Sequence, residues 1–206
     1  MIAIIDYGMG NLGSIQNMLR RLGFKSVISS SLGEIESADK IILPGVGSFD
    51  AGIKNLRTAG FVDLLHRRVT QDGVPFLGIC LGMQLLFERS EEGQCGGLGW
   101  LKGFVVRFQE SSAVKGTRMR IPHMGWNTVE SRPGSLLFAG LPMPLRFYFV
   151  HSYYFGDLSA SGVAGTTEHG SRFVCAIESG NIMATQFHPE KSHKFGLGLL
   201  SNFARL

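Results

Sequence analysis

The first hundred residues alternate between strand-like and helix-like patterns, and this alternation constrains the fold more than any other feature of the sequence. Short apolar runs indicate buried strands, and apolar residues at helical spacing indicate amphipathic helices. The strands are predicted at residues 2–6, 40–43 and 74–79, and the helices at 12–22, 51–68 and 82–89. Strands that alternate with helices predict an α/β fold with a mostly parallel central sheet and helices on both faces.

The residue pattern changes after Gly103, where short runs rich in Val, Phe, Tyr and Thr predict strands joined by turns. These strands are predicted at 104–108, 127–130, 147–154, 172–178 and 182–187, and a final helix at 196–206. No repeat, low-complexity segment or Pro/Ser-rich linker interrupts the chain. We therefore expect one domain over residues 1–206, with a β-rich C-terminal half.

Hydropathy and the N-terminal residues bear on location. Hydrophobic residues make up 44% of the 206 residues, but no apolar run reaches the roughly 20 residues that span a bilayer. The first six residues have the β-branched character of a buried strand and lack the basic head of a secretory signal. We expect no membrane segment and a cytoplasmic protein.

Charge and cysteine content narrow the function classes further. The net charge is +4, yet the basic residues occur as short pairs such as Arg20-Arg21, which favours a solvated surface over nucleic-acid binding. The three cysteines form neither a C-x-x-C pair nor a disulfide framework. We expect reduced thiols, no metal site and no cofactor.

The segment Gly78-Ile-Cys80-Leu-Gly82 carries the strongest chemical signal. It follows a predicted buried strand and leads directly into a helix, as in the cysteine form of a nucleophile elbow. A helix N-terminus also favours the thiolate over the thiol. A lone cysteine here would more often be a structural core residue. The flanking glycines favour a nucleophile instead.

His188-Pro189-Glu190 offers the other groups that a cysteine nucleophile needs. A base must take and return the proton, and a third group must hold the base in the correct tautomer. An extended backbone after the strand at 182–187 would direct His188 and Glu190 to one side. The triplet alone is equally compatible with a surface turn.

Residues 44–47, Pro-Gly-Val-Gly, end another predicted strand. Backbone N–H groups at Val46 or Gly47, together with that of Leu81, could stabilise a developing oxyanion. The same four residues could equally form an ordinary Pro-Gly turn.

Together these motifs resemble those of the class I (triad) glutamine amidotransferases. Within that family the similarity is greatest to the glutaminase subunits of imidazole glycerol phosphate synthases. Besides the cysteine and histidine segments, matching runs occur at 6–11, 43–49, 85–88, 122–127, 148–153 and 186–192. The resemblance covers nearly the whole chain, and it implies a flavodoxin-like fold.

The resemblance implies a role for each matched residue. Cys80 would attack the glutamine carboxamide, His188 would act as general base and acid, and Glu190 would orient it. Val46 or Gly47 and Leu81 would supply the oxyanion N–H groups. The implied glutamine contacts are Gly47, Gln84, Glu92, Ser152 and Tyr153.

The resemblance also implies a protein partner. Ammonia would pass to a synthase (cyclase) subunit with a (β/α)₈ barrel, which forms a heterodimer with this chain and makes imidazole glycerol phosphate and an aminoimidazole carboxamide ribonucleotide in histidine biosynthesis. The partner-facing residues by this similarity are Asn11, His123, Met124, Trp126 and Asn127.

Three alternatives remain open from the sequence. Segments 99–103 and 191–195 resemble a sister amidotransferase group whose synthase-like partner makes an amidino group on a surface-polysaccharide sugar. A degenerate, non-catalytic binding subunit is a second alternative. The third is a dinucleotide-binding oxidoreductase, because Gly8-Met-Gly10-Asn-Leu-Gly13 fits G-x-G-x-x-G and Glu34 lies about twenty residues on.

Overall fold

The computed structural model describes residues 1–109 and 120–206, and in these ranges it contains twelve β-strands and six α-helices. The strands are β1 Ile2–Ile5, β2 Ser26–Ser29, β3 Lys40–Gly45, β4 Phe76–Cys80, β5 Arg89–Ser90, β6 Phe104–Arg107, β7 His123–Ser131, β8 Leu145–His151, β9 Tyr153–Phe155, β10 Val163–His169, β11 Ser171–Ser179 and β12 Ile182–Thr185. The helices are α1 Leu12–Arg21, α2 Leu32–Glu36, α3 Phe49–Thr58, α4 Phe61–His66, α5 Leu81–Gln84 and α6 His193–Arg205.

The strands form one sheet in the order β2-β1-β3-β4-β12-β11-β10-β7-β8. The first five strands in this order, β2 to β12, are parallel to one another, and the pairs from β12 to β8 are antiparallel. A side branch joins β5, β6 and β9 to β11. The predicted α/β fold, with a mostly parallel centre and a β-rich second half, is confirmed.

Helices cover both faces of the parallel part. Ile15 and Leu19 of α1 pack with Leu199 and Phe203 of α6 in one apolar cluster. The opposite cluster contains α3 and α4, with residues such as Leu56 and Phe61. Because both faces are buried, the central strands are apolar throughout rather than alternating. No helix in the described ranges has both the length and the apolar character needed to cross a bilayer.

Two helices are shorter than the sequence predicts. The helix expected at 51–68 is interrupted at Gly60, whose φ of +73° lies in the left-handed region, and a π-helical turn Arg67–Gln71 follows α4. The helix expected at 82–89 ends at Gln84. Leu85, Leu86 and Phe87 are all fully buried, so this apolar run packs on every side instead of forming one helical face.

Several elements were missed or only partly predicted from the sequence. β2, α2 and β10 were not predicted, because Ser-rich and Thr/Gly-rich runs give a weak hydrophobic period. The predicted strand 147–154 divides at Ser152 into β8 and β9, which pair with different neighbours. β7 extends to nine residues where only 127–130 had been expected. These additions lengthen the antiparallel half of the sheet beside β12.

Candidate active site

Cys80 is the last residue of β4, and α5 begins at the next residue. Its backbone has φ 54° and ψ −107°, a conformation that costs a non-glycine residue roughly 1–3 kcal/mol. A Cβ at Gly82 would lie 1.9 Å from the Leu43 carbonyl oxygen, and one at Gly78 would lie 2.7 Å from the Gly82 carbonyl oxygen. Only glycine fits at either flank, so the sequence pattern corresponds to a tight, strained elbow.

The sheet register brings His188 to the same edge as Cys80. β12 runs parallel to β4, with Thr185 opposite Ile79, so the chain leaves both strands at their carboxyl ends side by side. The backbone N–H of His188 donates to the Tyr148 carbonyl at 2.9 Å and secures the segment after β12. Cys80 and His188 are 108 positions apart in sequence, and this parallel pairing brings the two segments together.

His188 and Glu190 form a buried pair. The Nδ1–Oε1 distance is 2.7 Å, and the two side chains are 1% and 3% exposed. An extended backbone had been expected here, whereas Pro189–Lys191 forms a 3₁₀ turn that curls Glu190 back towards the imidazole. Proline suits the first position of such a turn because its φ is already fixed near the helical value. The Oε1–Nδ1 contact therefore leaves Nε2 as the ring atom for chemistry.

The charged neighbours of His188 govern its protonation. Burial alone lowers the pKa of this imidazole, but the adjacent Cys80 sulfur and the Glu190 carboxylate outweigh burial and raise the pKa to about 10. His188 Nε2 is buried and has no hydrogen-bond partner among the described residues, but the Cys80 sulfur lies close enough to raise the pKa of the ring. The arrangement favours the imidazolium form of His188 beside the Cys80 sulfur.

A cavity of about 530 Å³ opens over Cys80. Its lining includes all the residues matched to oxyanion and glutamine-binding positions: Val46, Gly47, Leu81, Gln84, Glu92, Ser152 and Tyr153. These residues come from four separate parts of the chain. The cavity therefore brings together Cys80 and every residue that the resemblance implies for the oxyanion and for glutamine.

Two of the glutamine-binding candidates are held by other protein groups. Gln84 Nε2 donates to the Tyr153 carbonyl at 3.0 Å and to Gln186 Oε1 at 3.1 Å. Glu92 Oε2 accepts the Phe49 backbone N–H at 2.8 Å. Burial raises the pKa of Glu92, and the Phe49 bond opposes that rise. Both side chains are thus positioned before any substrate arrives.

The candidate oxyanion segment follows β3. Gly45 pairs with Cys80 in the sheet, and Val46 and Gly47 continue past it into the cavity lining. Gly47 has φ +112°. Leu81 is the first residue of α5, where backbone N–H groups have no partner within the helix.

The candidate partner-facing residues divide into exposed and buried groups. Met124 and Trp126 are 61% and 39% exposed, and Asn11 is also exposed. Asn127 is half-buried, and His123 is only 4% exposed. Of the candidate residues on β7, Met124 and Trp126 are therefore the ones most accessible to a partner.

The sequence reasoning missed Gln186 and Tyr7. Gln186 is fully buried, and its Nε2 donates to Cys80 Sγ at 3.8 Å. Its position two residues before His188 placed it on the same side of an extended segment, which was the available signal. The Tyr7 hydroxyl is buried and has no hydrogen-bond partner within residues 1–109 and 120–206, and burial followed by the Cys80 charge raises its pKa. A Cβ on Gly45 would lie 2.4 Å from that hydroxyl, so Tyr7 packs beneath the end of β3.

The residues of the G-x-G-x-x-G motif serve other contacts. A Cβ at Gly10 would lie 3.3 Å from the Pro44 side chain, so this glycine allows the loop after β1 to pack on the end of β3. Glu34, the candidate ribose ligand, accepts the Ser29 hydroxyl at 2.5 Å. Across residues 1–109 and 120–206, no three His, Cys, Asp or Glu side chains group together as a metal site would require.

Comparison with known proteins agrees with this geometry. The family model described as "Glutamine amidotransferase class-I" matches residues 3–205. The chain is 49% identical to imidazole glycerol phosphate synthase subunit HisH 2 of Methanococcus maripaludis, covering 100% of this chain and 99% of the relative. It is 46% identical to the protein of the same name from Pseudomonas aeruginosa, over the full length of both.

Solved structures of lower identity share the fold. A crystal structure of a glutamine amidotransferase superposes with a TM-score of 0.73 at 20% identity, covering 100% of both chains. The glutaminase domain of Trypanosoma brucei CTPS gives a TM-score of 0.64 at 18% identity, covering 99% of this chain and 93% of that one.

Proposed function

Because the chain belongs to the class I glutamine amidotransferases, we propose that it is the glutaminase subunit of an imidazole glycerol phosphate synthase. The observation that carries the proposal is that Cys80 lines the cavity while the buried His188–Glu190 pair lies beside its sulfur. Its substrate is glutamine, and its products are glutamate and ammonia. The proposed unit is one domain over residues 1–206 that works in the cytoplasm.

The reaction proceeds in two steps through the Cys80 sulfur. The thiolate attacks the carboxamide carbon of glutamine, and the His188 imidazolium gives its proton to the departing nitrogen, which leaves as ammonia. His188 then takes a proton from water as that water attacks the thioester, and glutamate and the thiol side chain are released. Glu190 accepts the Nδ1–H of His188 throughout and keeps Nε2 directed to the reacting atoms.

The cavity walls support both steps. Backbone N–H groups of Val46 or Gly47 and of Leu81 stabilise the oxyanion that forms at each attack, and one such donor is worth about 10²- to 10³-fold in rate. The Glu92 carboxylate lines the same cavity and can accept hydrogen bonds from the α-ammonium group of glutamine. Gln84, Ser152 and Tyr153 complete the glutamine site.

The ammonia is used by a second subunit. A synthase with a (β/α)₈ barrel docks as a heterodimer partner against the exposed Met124 and Trp126 of β7, with Asn11 and Asn127 nearby. The partner incorporates the ammonia and forms imidazole glycerol phosphate and an aminoimidazole carboxamide ribonucleotide. Full-length relatives named as subunits of that synthase support this assignment.

The decisive experiment replaces the nucleophile in the assembled complex. With Cys80→Ala we expect glutamine-dependent synthesis to fall below detection, while added ammonium salt still supports the partner's reaction. Cys95→Ala is the matched control, because Cys95 lies outside the cavity and should leave glutamine use unchanged. Retained glutamate release by Cys80→Ala would refute the triad.

A second candidate function is supported by the segment at 191–195. His193 has φ 46° and stacks face to face on Trp126, with ring centroids 5.5 Å apart and an interplanar angle of 6°. This segment, which resembles the sister group that serves amidino-sugar synthesis, therefore lies against the proposed docking surface. By contrast, Trp100 of segment 99–103 packs on Phe76. Copurification with a histidine-pathway synthase or with a polysaccharide synthase-like protein discriminates between the two partners.

A further inference from the structure

Strand β7 carries different groups on its two faces. Met124 and Trp126 are exposed on the outer face, where the proposed partner docks. His123 is buried and Asn127 is half-buried on the inner face. One strand therefore joins the docking surface to the interior of the protein.

The orientation of the Asn127 amide is fixed by two backbone groups. Its Oδ1 accepts the Thr128 N–H at 2.8 Å, and its Nδ2 donates to the Glu168 carbonyl at 2.8 Å. A backbone N–H can only donate and a carbonyl can only accept, so the amide cannot be reversed. Nδ2 therefore also faces His123 Nε2, at 3.1 Å, and donates to it.

The tautomers of His151 and His123 follow from the hydrogen bond at the Tyr153 carbonyl, at the opposite end of the same chain of contacts. His151 Nδ1 lies 2.8 Å from the Tyr153 carbonyl oxygen, so Nδ1 carries the proton. His123 Nδ1 lies 2.9 Å from His151 Nε2, which has no proton in that tautomer. His123 Nδ1 must then be the donor. All the bonds run in one direction, from Asn127 through His123 and His151 to Tyr153.

The chain ends inside the glutamine cavity. The Tyr153 carbonyl also accepts Gln84 Nε2, which in turn donates to Gln186 Oε1. Gln186 Nε2 donates to the Cys80 sulfur. A shift of the Tyr153 carbonyl therefore alters the set of groups that holds the glutamine site and the nucleophile.

We propose that His123 and His151 are positioning residues that couple the partner-facing strand β7 to the glutamine site through this directed hydrogen-bond relay. The proposal rests on the proposed function, since it takes the synthase as the molecule that docks on β7. Displacement of β7 by the partner moves Asn127 and His123, and His151 transmits that movement to the Tyr153 carbonyl. Stacking of His123 between Phe149 and His169, at centroid distances of 4.6 and 4.2 Å, leaves the ring little freedom to absorb it.

Protonation chemistry supports a neutral relay. Burial, and to a smaller extent neighbouring histidines, lowers the pKa of both His123 and His151 to about 3, although the bond to the Tyr153 carbonyl opposes this shift at His151. A second proton on either ring would place N–H against N–H. The rings therefore keep their single tautomer throughout the physiological pH range.

Two substitutions interrupt the relay at different points. Asn127→Leu removes the donor at the surface end, and His123→Phe removes the central link while it preserves aromatic stacking. At saturating synthase subunit, we expect the ratio of kcat with partner to kcat without partner to fall about tenfold in each variant, within the usual range of coupling between sites. The double variant should fall no further, because both changes interrupt one chain. Thr128→Val is the matched control on the same strand and should keep the wild-type ratio.

Nitrogen-15 NMR of the free chain gives a second, independent readout. Both His123 and His151 should show the Nδ1–H tautomer. An Nε2–H tautomer at either ring would overturn the proposal, as would an unchanged stimulation ratio in both single variants. A wild-type chain that the synthase does not stimulate would refute the proposed partner instead, and the tautomer measurement would still test the relay.

Discussion

Two buried histidines near the glutamine cavity, His188 and His151, have pKa values shifted in opposite directions. His188 is 1% exposed and His151 is 6% exposed, so burial is nearly the same for both. The pKa of His188 is raised to about 10, whereas that of His151 is lowered to about 3. The difference lies in the partners: His188 bonds to the Glu190 carboxylate and lies near the Cys80 sulfur, whereas His151 contacts a carbonyl and another imidazole.

Burial penalises the imidazolium in both places, and only charged partners can outweigh that penalty. One region thus holds a charge for proton transfer, and the other holds a fixed neutral tautomer for positioning. The charge of His188 itself adds to the second effect, since it lowers the pKa of His151. A catalytic imidazolium can therefore exist beside a relay of histidines without protonating it.

The largest expected effect comes from removing the Glu190 carboxylate, whose charge makes the protonation of His188 differ from that of His151. Glu190→Gln gives His188 an uncharged partner, as His151 has. We expect kcat for glutamine to fall about 10³- to 10⁴-fold, because the imidazole loses the charge that stabilises its protonated form, and an amide, which offers a donor as well as an acceptor, no longer selects one tautomer. Glutamate release at saturating glutamine, with the partner present, measures the loss.

Glu178→Gln is the control for that change. Glu178 is another buried carboxylate, which accepts the Ser135 hydroxyl at 2.6 Å and the Leu137 N–H at 2.7 Å away from the cavity. Its replacement should lower stability but leave kcat unchanged. If Glu190→Gln kept kcat within tenfold of wild type, the charge on the orienting group would not matter and the contrast would fail.

The second expected effect concerns stability between pH 6.5 and pH 3. His123 and His151 titrate near 6.5 when unfolded and near 3 when folded, so the unfolded chain binds more protons in this window. The free energy of unfolding should fall as pH falls, by up to about 1.4 kcal/mol per pH unit for each histidine. His188 acts in the opposite sense: its contribution is complete below pH 6.5 and is lost as pH rises towards 10.

Urea unfolding at pH 7, 6 and 5 measures that slope. His123→Phe should flatten the slope relative to wild type by about one histidine's share, whereas His66→Phe, at an exposed position, should leave it as it is. Equal slopes in wild type and His123→Phe would show that His123 takes up a proton in the folded state and would remove the contrast between the two regions.

The catalytic side was the more predictable of the two. The Gly-x-Cys-x-Gly run indicated the elbow because a Cβ at either glycine would collide with backbone, a local constraint that leaves a visible trace in sequence. His188 could be matched to Cys80 only through the resemblance, because a parallel strand pairing between distant segments leaves no local pattern.

The relay side was not predictable from local pattern. His123 and Asn127 had been assigned to the partner surface as one group, whereas β7 places them on its inner face and Met124 and Trp126 on the outer face. The strand had been predicted only from 127, so the alternation of faces could not be read back to 123. His151 had no signal of its own, since its role depends on a tautomer that only the bonded neighbours determine.

The smallest expected effect tests whether the nucleophile depends on a neutral neighbour as well as on charge. Gln186→Leu removes the N–H that lies 3.8 Å from the Cys80 sulfur, while Gln84 keeps its bond to the Tyr153 carbonyl. A hydrogen bond to a charged group contributes about 1.5–3 kcal/mol, and the long N–S distance places this one at the lower end, which corresponds to about a tenfold change in thiolate formation.

Iodoacetamide alkylation of Cys80 across pH, without glutamine, reports the thiolate fraction directly. Gln186→Glu should reduce it further, because an acceptor then replaces the donor, and Gln16→Leu, which removes an amide of α1 outside the cavity, should not. Unchanged alkylation in both Gln186 variants would show that Gln186 does not stabilise the thiolate. The contrast between the surroundings of His188 and His151 would then rest on charge alone.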